Sequence, residues 1–558
     1  MKLFKDALKN FIKSKIFLLA TLITYAVSIS YEMLCYGMKL DVGTIQYPLN
    51  RVLNLSFYLF LVAIFLSYEY FRQYQHNGMD EVLLLTSNGC RKKHYIAAFF
   101  VMTLWSMIVT AFLMACVIVC FRYYHIHDPN GEYMTHIVKN MLINFLLILE
   151  LGNLIGFLLS KIENRIISYA WMLLIIFLTS PYLERIADVQ SRSNLGKGVI
   201  YPITELFNIM PLVHNGFQTI FAFGESILFY RVSKILFWIF FVLVLIFITR
   251  KWNKKSICFL GIFMLAFFFG FFMPASTVNM DGNPENTMAH DQYYYLGKGG
   301  EVQKIKTEKA DFFINQYKMK LNIDRLLRAN VMMEVSQSLD EYKFTLYHGY
   351  HVKKVWTQDG KELSFKQKND YITVKNNGNQ IKNICMKYSG YAPAYYSNTQ
   401  GIYLPGNFAY YPRAGYVPLF DQEKFRMASC FVDTNTLFRV TLNYHGGRVY
   451  TNLEKNNGVY TGKCDGFTIM SGFYKEKDLG NGNRLIYNYL YDEYYYTKKE
   501  FGNDAETFDE SCKEIQKTFR TNHIKDMVIF VIPNVNQTYQ IDIGEHQILT
   551  KTILLLTD

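Results

Sequence analysis

A glutamate stands inside an apolar run, at position 150 of FLLILELGNLIGFLL, with Asn144 six residues before it and Asn153 three after. Asn153 can share a helical face with Glu150. An ionisable group at membrane depth is costly and points to function by default. A coupling or substrate-path role and a plain packing hydrogen bond both fit the pair. Other chemistries lack a member. Zinc hydrolysis from a helix needs HExxH with a further carboxylate downstream. His348 and His351 have HxxH spacing with no glutamate between them, on a turn between strands, and His546 is alone. A phosphate cradle needs GxxxxGK[ST]. Gly196-Lys197 and Gly297-Lys298 have neither the upstream glycine nor the following Ser/Thr. The nine cysteines show no zinc-like spacing. Cys116 and Cys120 lie one turn apart in an apolar run and read as small hydrophobes. Cys385, Cys430, Cys464 and Cys512 fall in a later, polar region. Outside the cell they could form disulfides, and their pairing stays open. The expectation is no catalytic residue, no metal site and no directly bound cofactor.

The elements that must position these residues are mostly apolar. The chain has 558 residues, 51% hydrophobic and 19% charged, with a net charge of +12. That balance suggests membrane segments beside a soluble part. No basic, aromatic patch occurs in a soluble region, which speaks against nucleic-acid binding. Seven stretches approach the ~20 apolar residues of a spanning helix: Ile16–Cys35, Leu53–Tyr70, Ile96–Phe121, Ile137–Ser160, Ile166–Tyr182, Ile235–Ile248 and Ile257–Phe272. The sixth is the weakest; Phe229 and Val232 precede it and allow an earlier start. No cleavable signal peptide is evident. Basic clusters occupy alternate connections: Lys2 to Lys15, Arg72 with Arg91 to Lys93, Lys161 with Arg165, and Arg250 to Lys255. The positive-inside rule then puts the N-terminus in the cytoplasm and, after seven spans, everything beyond Met273 outside. In the first fifteen residues Phe4, Leu8, Phe11 and Ile12 share one face and the lysines point largely elsewhere. This predicts an amphipathic helix on the inner leaflet.

The connection between the second and third stretches reads YEYFRQYQHNGMDEVLLLTSNGCRKKHY, Tyr68 to Tyr95. A glutamate ends a span. Gly78, Asp80 and Glu81 then lead into a short apolar helix, Val82–Leu85, and a basic entry to the next span. This resembles the coupling loop of ABC-2 type transporter permeases. The resemblance implies that Glu69, Gly78, Glu81, Val82, Leu83 and Leu84 form the element that docks on an ATPase subunit. Charged flanks around a small apolar helix suit the transmission of a rigid-body push. The amphipathic start resembles the elbow helix of that family. Ile203 to Phe223, apolar and interrupted by Pro211, stands where the family has short re-entrant helices. The likeness covers roughly residues 1–275. It implies ATP and Mg on a partner ATPase subunit, and a second permease as homodimer or paired chain. The family core has six spans, so a seventh is a departure; it is the one that would export the C-terminal region.

Residues 276–310 read as a linker and 311–558 as a mainly β domain outside the membrane. YKMKLNIDRLLRANVMMEV (Tyr317 to Val335) suggests a strand pair. Asp359-Gly360 is a hairpin turn signal. Leu437–Tyr444 and Arg448–Thr451 are expected to pair across Gly446-Gly447. The order of these pieces resembles the N-terminal β-domain of M1-family aminopeptidases. Tyr388-Ser389-Gly390 stands for its Y-x-G step, and Tyr410-Tyr411-Pro412 for its WYP, so Tyr388, Gly390, Tyr411 and Pro412 carry the likeness. The zinc motif of that family is absent and so is its GxMEN loop, which implies a non-catalytic module. A membrane metallopeptidase is therefore disfavoured.

The fold class expected is a membrane α-helical bundle of about seven spans followed by a mainly β extracytoplasmic domain. The expected function is the permease subunit of an exporter in a bacterial cell membrane, with the outer domain binding or gating a peptide or lipid substrate. The other reading kept open is a membrane-anchored peptide-binding or sensory protein without transport.

Overall fold

A computed structural model describes residues 2–37, 55–76, 90–123, 131–180, 229–250, 253–271, 307–376, 380–392, 397–421, 435–489, 508–532 and 541–550, with shorter stretches such as 206–210, 294–295 and 426–433 between them. Two compact units result. The first comprises residues 1–126, 134–213 and 227–273, and the second comprises 127–133, 214–226 and 274–558.

The first unit is helical. Its helices are α1 (Lys2–Lys13), α2 (Lys15–Gly37), α3 (Leu55–His76), α4 (Cys90–Tyr123), α5 (Glu132–Leu159), α6 (Arg165–Leu178), α7 (Phe229–Thr249) and α8 (Lys254–Phe271). Their ends follow local chemistry. The Asn164 side chain accepts from the amides of Ile166 at 2.9 Å and Ile167 at 3.4 Å, capping α6. Asn253 does the same for α8 through the Lys255 amide at 3.0 Å. Helices α1 and α2 meet at a bend of 70°. On α1, Ala7 and Phe11 are buried while Lys5, Lys9 and Lys13 are exposed. The Ala7 carbonyl accepts from Tyr70 Oη at 3.0 Å, and Phe11 meets the Tyr70 ring edge-on. The amphipathic pattern thus buries one face, although Ile12 stays 55% exposed.

Among the described residues, four helices are long and apolar enough to cross a membrane: Leu55–Gln73, Lys92–Val119, Glu132–Leu159 and Arg231–Thr249. The bent pair α1–α2 raises this to five at most. The expectation of seven spans is not carried by these helices. The 14 residues of α6 rise about 21 Å, short of the ~30 Å hydrocarbon core. The sixth stretch does begin early, at Phe229.

The second unit is mainly β. Its largest sheet runs, in spatial order, Glu454–Asn456, Val459–Lys463, Leu437–Tyr444, Ile314–Ile323, Leu327–Val335, Asn383–Gly390 and Tyr350–Thr357. Strands Ile314–Ile323 and Leu327–Val335 form the expected pair, turned by Asp324, whose carboxylate accepts from the Arg325 and Leu326 amides. Alternate residues of both strands are buried, as a half-covered sheet requires. A second sheet orders Ser364–Lys368, Tyr371–Lys375, Glu341–Thr345 and Arg413–Ala414. A third orders Val449–Thr451, Ile469–Ser471 and Ile402–Leu404. The fourth is Tyr474–Gly480, Asn483–Asn488, Val528–Val531, Gln547–Thr550 and Ile541–Ile543, covered by helix α9 (Phe508–Thr521) through Cys512, Ile515 and Phe519.

One local expectation needs correction. Leu437–Tyr444 does not pair with Val449–Thr451. It pairs in parallel with Ile314–Ile323 and antiparallel with Val459–Lys463, and Val449–Thr451 enters another sheet. The glycines make a bend between sheets rather than a hairpin. Asp359-Gly360 does make the expected hairpin turn: Gly360 has φ 85°, Trp356 and Glu362 bridge antiparallel, and Leu363 N donates to the Val355 carbonyl at 3.0 Å before the strands enter different sheets. Cys385, Cys430, Cys464 and Cys512 are all buried.

Candidate functional site

Helix α5 carries the densest set of buried polar groups in the helical unit. A π-helical stretch, Leu142–Leu147, interrupts it. Such stretches re-phase the side chains that follow. Leading into it, His136, Asn140 and Asn144, the last inside the π stretch, stand four residues apart and form a chain. Asn144 Nδ2 donates to Asn140 Oδ1 at 3.0 Å, and Asn140 Nδ2 lies 2.7 Å from His136 Nε2. An amide NH2 only donates, so His136 Nε2 accepts and the ring proton sits on Nδ1. Arg231 of α7, 6% exposed, closes the chain: its Nη2 donates to Asn144 Oδ1 at 3.0 Å and to the Ile209 carbonyl at 2.9 Å.

After the π stretch come Glu150 and Asn153. Thr103 of α4 donates to Glu150 Oε2 at 2.9 Å. Asn153 Nδ2 donates to Ser106 Oγ at 2.8 Å, also on α4. The two residues therefore both face α4. Glu150 Oε1 and Asn153 Oδ1 are buried without a hydrogen-bond partner among the described residues. On another face of α5, Gly152 and Gly156 admit α3, and Ser67 Oγ donates to the Asn153 carbonyl at 2.7 Å. Arg250 closes the C-terminal end of α5, donating to the Phe157 carbonyl at 3.1 Å with its guanidinium 4.0 Å over the Phe157 ring.

Glu69, near the end of α3, is held from α6. Arg165 Nη2 lies 3.2 Å from its Oε2, and Tyr169 Oη donates to its Oε1 at 2.8 Å. Gly78, Glu81, Val82, Leu83 and Leu84 lie outside the described residues, as do Pro211 and most of the segment from Ile203 to Phe223.

In the β unit the four motif residues come together in the core. Tyr388 Oη donates to the Tyr410 carbonyl at 2.8 Å, and the Pro412 carbonyl accepts from Tyr317 Oη at 2.6 Å. Tyr411 Oη accepts the Phe467 amide at 3.2 Å. A Cβ on Gly390 would fall 1.8 Å from the Gly349 carbonyl oxygen, so two backbones cross there and only glycine fits. Arg413, 2% exposed, stacks 3.7 Å from the Tyr411 ring, and its Nη2 donates to the Gly406 and Phe408 carbonyls. Burial pushes the Tyr411 phenol up to about 12. These contacts hold the fold and present no reacting group.

The HxxH spacing resolves differently from a ligand pair. The His348 amide and ring both meet Asp370 Oδ1, at 2.7 and 3.1 Å, and Tyr294 stacks on the ring. His351 lies in strand Tyr350–Thr357 rather than on the turn, and is exposed. Among the described residues no group of three or more His, Cys, Asp or Glu is placed to hold a metal ion. Reading single residues missed His136, Asn140, Thr103, Ser106 and Arg231. The i, i+4 spacing of His136, Asn140 and Asn144 was the available signal; Arg231 had none, because its partner is 87 residues away.

No protein-family profile and no curated protein matches the sequence. Solved structures similar to part of it include an M1 zinc metallopeptidase from Deinococcus radiodurans, with 10% identity and a TM-score of 0.30 over 45% of this chain and 64% of that one. Native leukotriene A4 hydrolase from Saccharomyces cerevisiae gives 11% and 0.29 over 46% and 44%. An aminopeptidase A from Legionella pneumophila, in complex with aspartic acid, gives 10% and 0.29 over 44% and 32%. The chain spans less than two thirds of the length of each.

Proposed function

We propose that this chain is the permease subunit of an ABC-2 type exporter, driven by a separate ATPase subunit that binds ATP and Mg, and working with a second permease as homodimer or paired chain. The observation that carries the reading is the interior of α5. A helix long enough to cross a membrane holds a glutamate hydrogen-bonded to Thr103 of the neighbouring helix, and an Asn–Asn–His chain ending on a buried arginine. Polar groups at this depth are expensive, and transport is the usual return. The coupling segment Gly78 to Leu84 connects α3 to α4, the two helices that pack on the Glu150 region. A push delivered there would reach the polar interior through packed helices.

The proposed orientation is multi-pass in the cell membrane, with the N-terminus cytoplasmic and the β unit outside. Residues 127–133, just before and into α5, and 214–226, before α7, belong to the β unit. Inside that unit Asp128 accepts from Tyr489 Oη at 3.2 Å, and the Phe223 carbonyl accepts from Gln400 at 2.7 Å. The β unit would bind or gate the exported molecule, a peptide or a lipid, without hydrolysing it.

Affinity purification of the full chain from native membranes, with mass spectrometry of what stays bound, tests the reading. A stoichiometric ATPase is expected, and Glu81→Arg should release it. Absence of any ATPase across several detergents would replace the permease by an anchored peptide-binding or sensory protein.

A further inference from the structure

Helix α1 is braced on one side and open on the other. Its buried residues, Ala7 and Phe11, meet Tyr70 of α3, and the Phe11 ring stacks on Phe17 at 5.3 Å across the bend into α2. Lys5, Lys9 and Lys13 stand four residues apart on the other side, and all three are exposed. Lys15, at the start of α2, and Lys92 and Lys93, in the first turn of α4, are exposed too. The two groups are neighbours: α1 packs on α4, and Asp6 is close enough to His94 to act on it electrostatically. Among the described residues none of these six lysine side chains makes an ion pair or a hydrogen bond. Carboxylates to answer them are few. Asp6 is the one on α1 and α4, Glu69 of α3 is already held by Arg165 and Tyr169, and Glu32 stands toward the far end of α2. Like charges gathered in this way repel one another until an anion meets them.

The surroundings of the stripe say which anion. Around the axis of α1, exposed Ile12 lies between half-buried Leu8 and Lys5. Beyond the bend, Leu18, Leu19 and Leu22 of α2 are exposed as well. Unpaired positive charge thus borders bare apolar surface, as on a helix that lies in a headgroup layer. The 70° bend between α1 and α2 fits that position, since α1 lies close to the plane of a bilayer that α2 crosses. Lysine stems can then run along acyl chains while the ammonium groups reach phosphates. The contacts to Tyr70 and Phe17 fix the helix beforehand, so little backbone has to be ordered on binding.

We propose that Lys5, Lys9 and Lys13, with Lys15, Lys92 and Lys93 beside them, form a docking surface for the headgroups of anionic phospholipids in the leaflet on which α1 lies. The proposal rests on the membrane placement given above for the helical unit, and not on what the chain transports.

The test uses the full chain in mild detergent, titrated with dioleoyl phosphatidylglycerol or dioleoyl phosphatidylcholine, with native mass spectrometry to count the lipids retained. The two lipids share their acyl chains and differ in headgroup charge. One lysine near an anionic lipid surface is worth about fivefold in affinity. The first phosphatidylglycerol should therefore bind at least about fivefold more tightly than the first phosphatidylcholine. Lys5→Gln, Lys9→Gln and Lys13→Gln together should lower that ratio at least about fivefold. Arginine at the same three positions should keep it. Lys318→Gln, Lys320→Gln and Lys366→Gln together, which remove the same charge from exposed sites in the β unit, should leave it unchanged. Inorganic phosphate at about 10 mM, below physiological ionic strength, should not displace the lipid, because it makes no apolar contact. Equal retention of the two lipids, an unchanged ratio in the glutamine variant, a ratio lost with arginine, an equal fall in the β-unit variant, or displacement by phosphate would each overturn the proposal. An unchanged ratio in the glutamine variant together with loss of a co-purifying ATPase would give the stripe to that ATPase instead. The lipid ratio is read without the ATPase, so this proposal and the transport reading fail separately.

Discussion

Gly156→Ala should loosen the helical unit by an amount that the geometry sets. A Cβ on Gly156 would lie 2.4 Å from the Ile64 carbonyl oxygen, 2.7 Å from Ser67 Cβ and 2.8 Å from the Tyr68 amide nitrogen. Two of these atoms belong to the α3 backbone and cannot rotate away. An ordinary carbon–oxygen contact is about 3.3 Å or more, so α3 and α5 must part by roughly 1 Å. A gap of that size forfeits a quarter to a half of the dispersion energy along the seam. It also stretches the 2.7 Å bond from Ser67 to the Asn153 carbonyl, worth about 1 kcal/mol. Overpacking of this kind costs about 1–3 kcal/mol, against about 1 kcal/mol gained by replacing a helical glycine with alanine. The expected net loss is about 1–3 kcal/mol. Gly261→Ala on α8 is the control, because nothing lies within 4 Å of its added Cβ, and it should gain only the propensity term. Thermal unfolding of the full chains in one detergent, followed by intrinsic fluorescence at a single scan rate, ranks them. If Gly156→Ala melts with or above Gly261→Ala, the close α3–α5 seam is refuted.

Arg231→Ala leaves Asn144 Oδ1 and the Ile209 carbonyl without their donor, and should cost about 1–3 kcal/mol in the same assay; an unchanged melting temperature would remove Arg231 from the chain. Alkaline titration should expose the aromatic core: Tyr411 is pushed up from 10 to about 12 by burial. A raised acid pKa means its stabilising share is whole below pH 10 and lost as pH climbs to 12. Phenolate absorbance should therefore rise first for exposed tyrosines, and the rest should appear together with loss of near-ultraviolet dichroism. Purified protein should carry no stoichiometric zinc, and one zinc per chain by elemental analysis would reverse the non-catalytic reading. Glu69→Gln removes a half-exposed pair with Arg165 and should move stability by less than about 1 kcal/mol, so any larger fall in ATPase retention would mark a role in coupling.

The sequence by itself determined where the apolar helices and the β region lie. Hydropathy and alternation are local, and burial on one face or all round imposes them residue by residue. It also determined that Glu150 and Asn153 share a face of α5, because i, i+3 spacing places side chains on one side of any helix. What only the tertiary structure decided is who meets whom. Leu437–Tyr444 pairs with a strand more than a hundred residues earlier instead of its neighbour, since a parallel partner leaves no mark in adjacent sequence. Arg231 finds Asn144, and Arg413 sits beneath Tyr411, by packing alone.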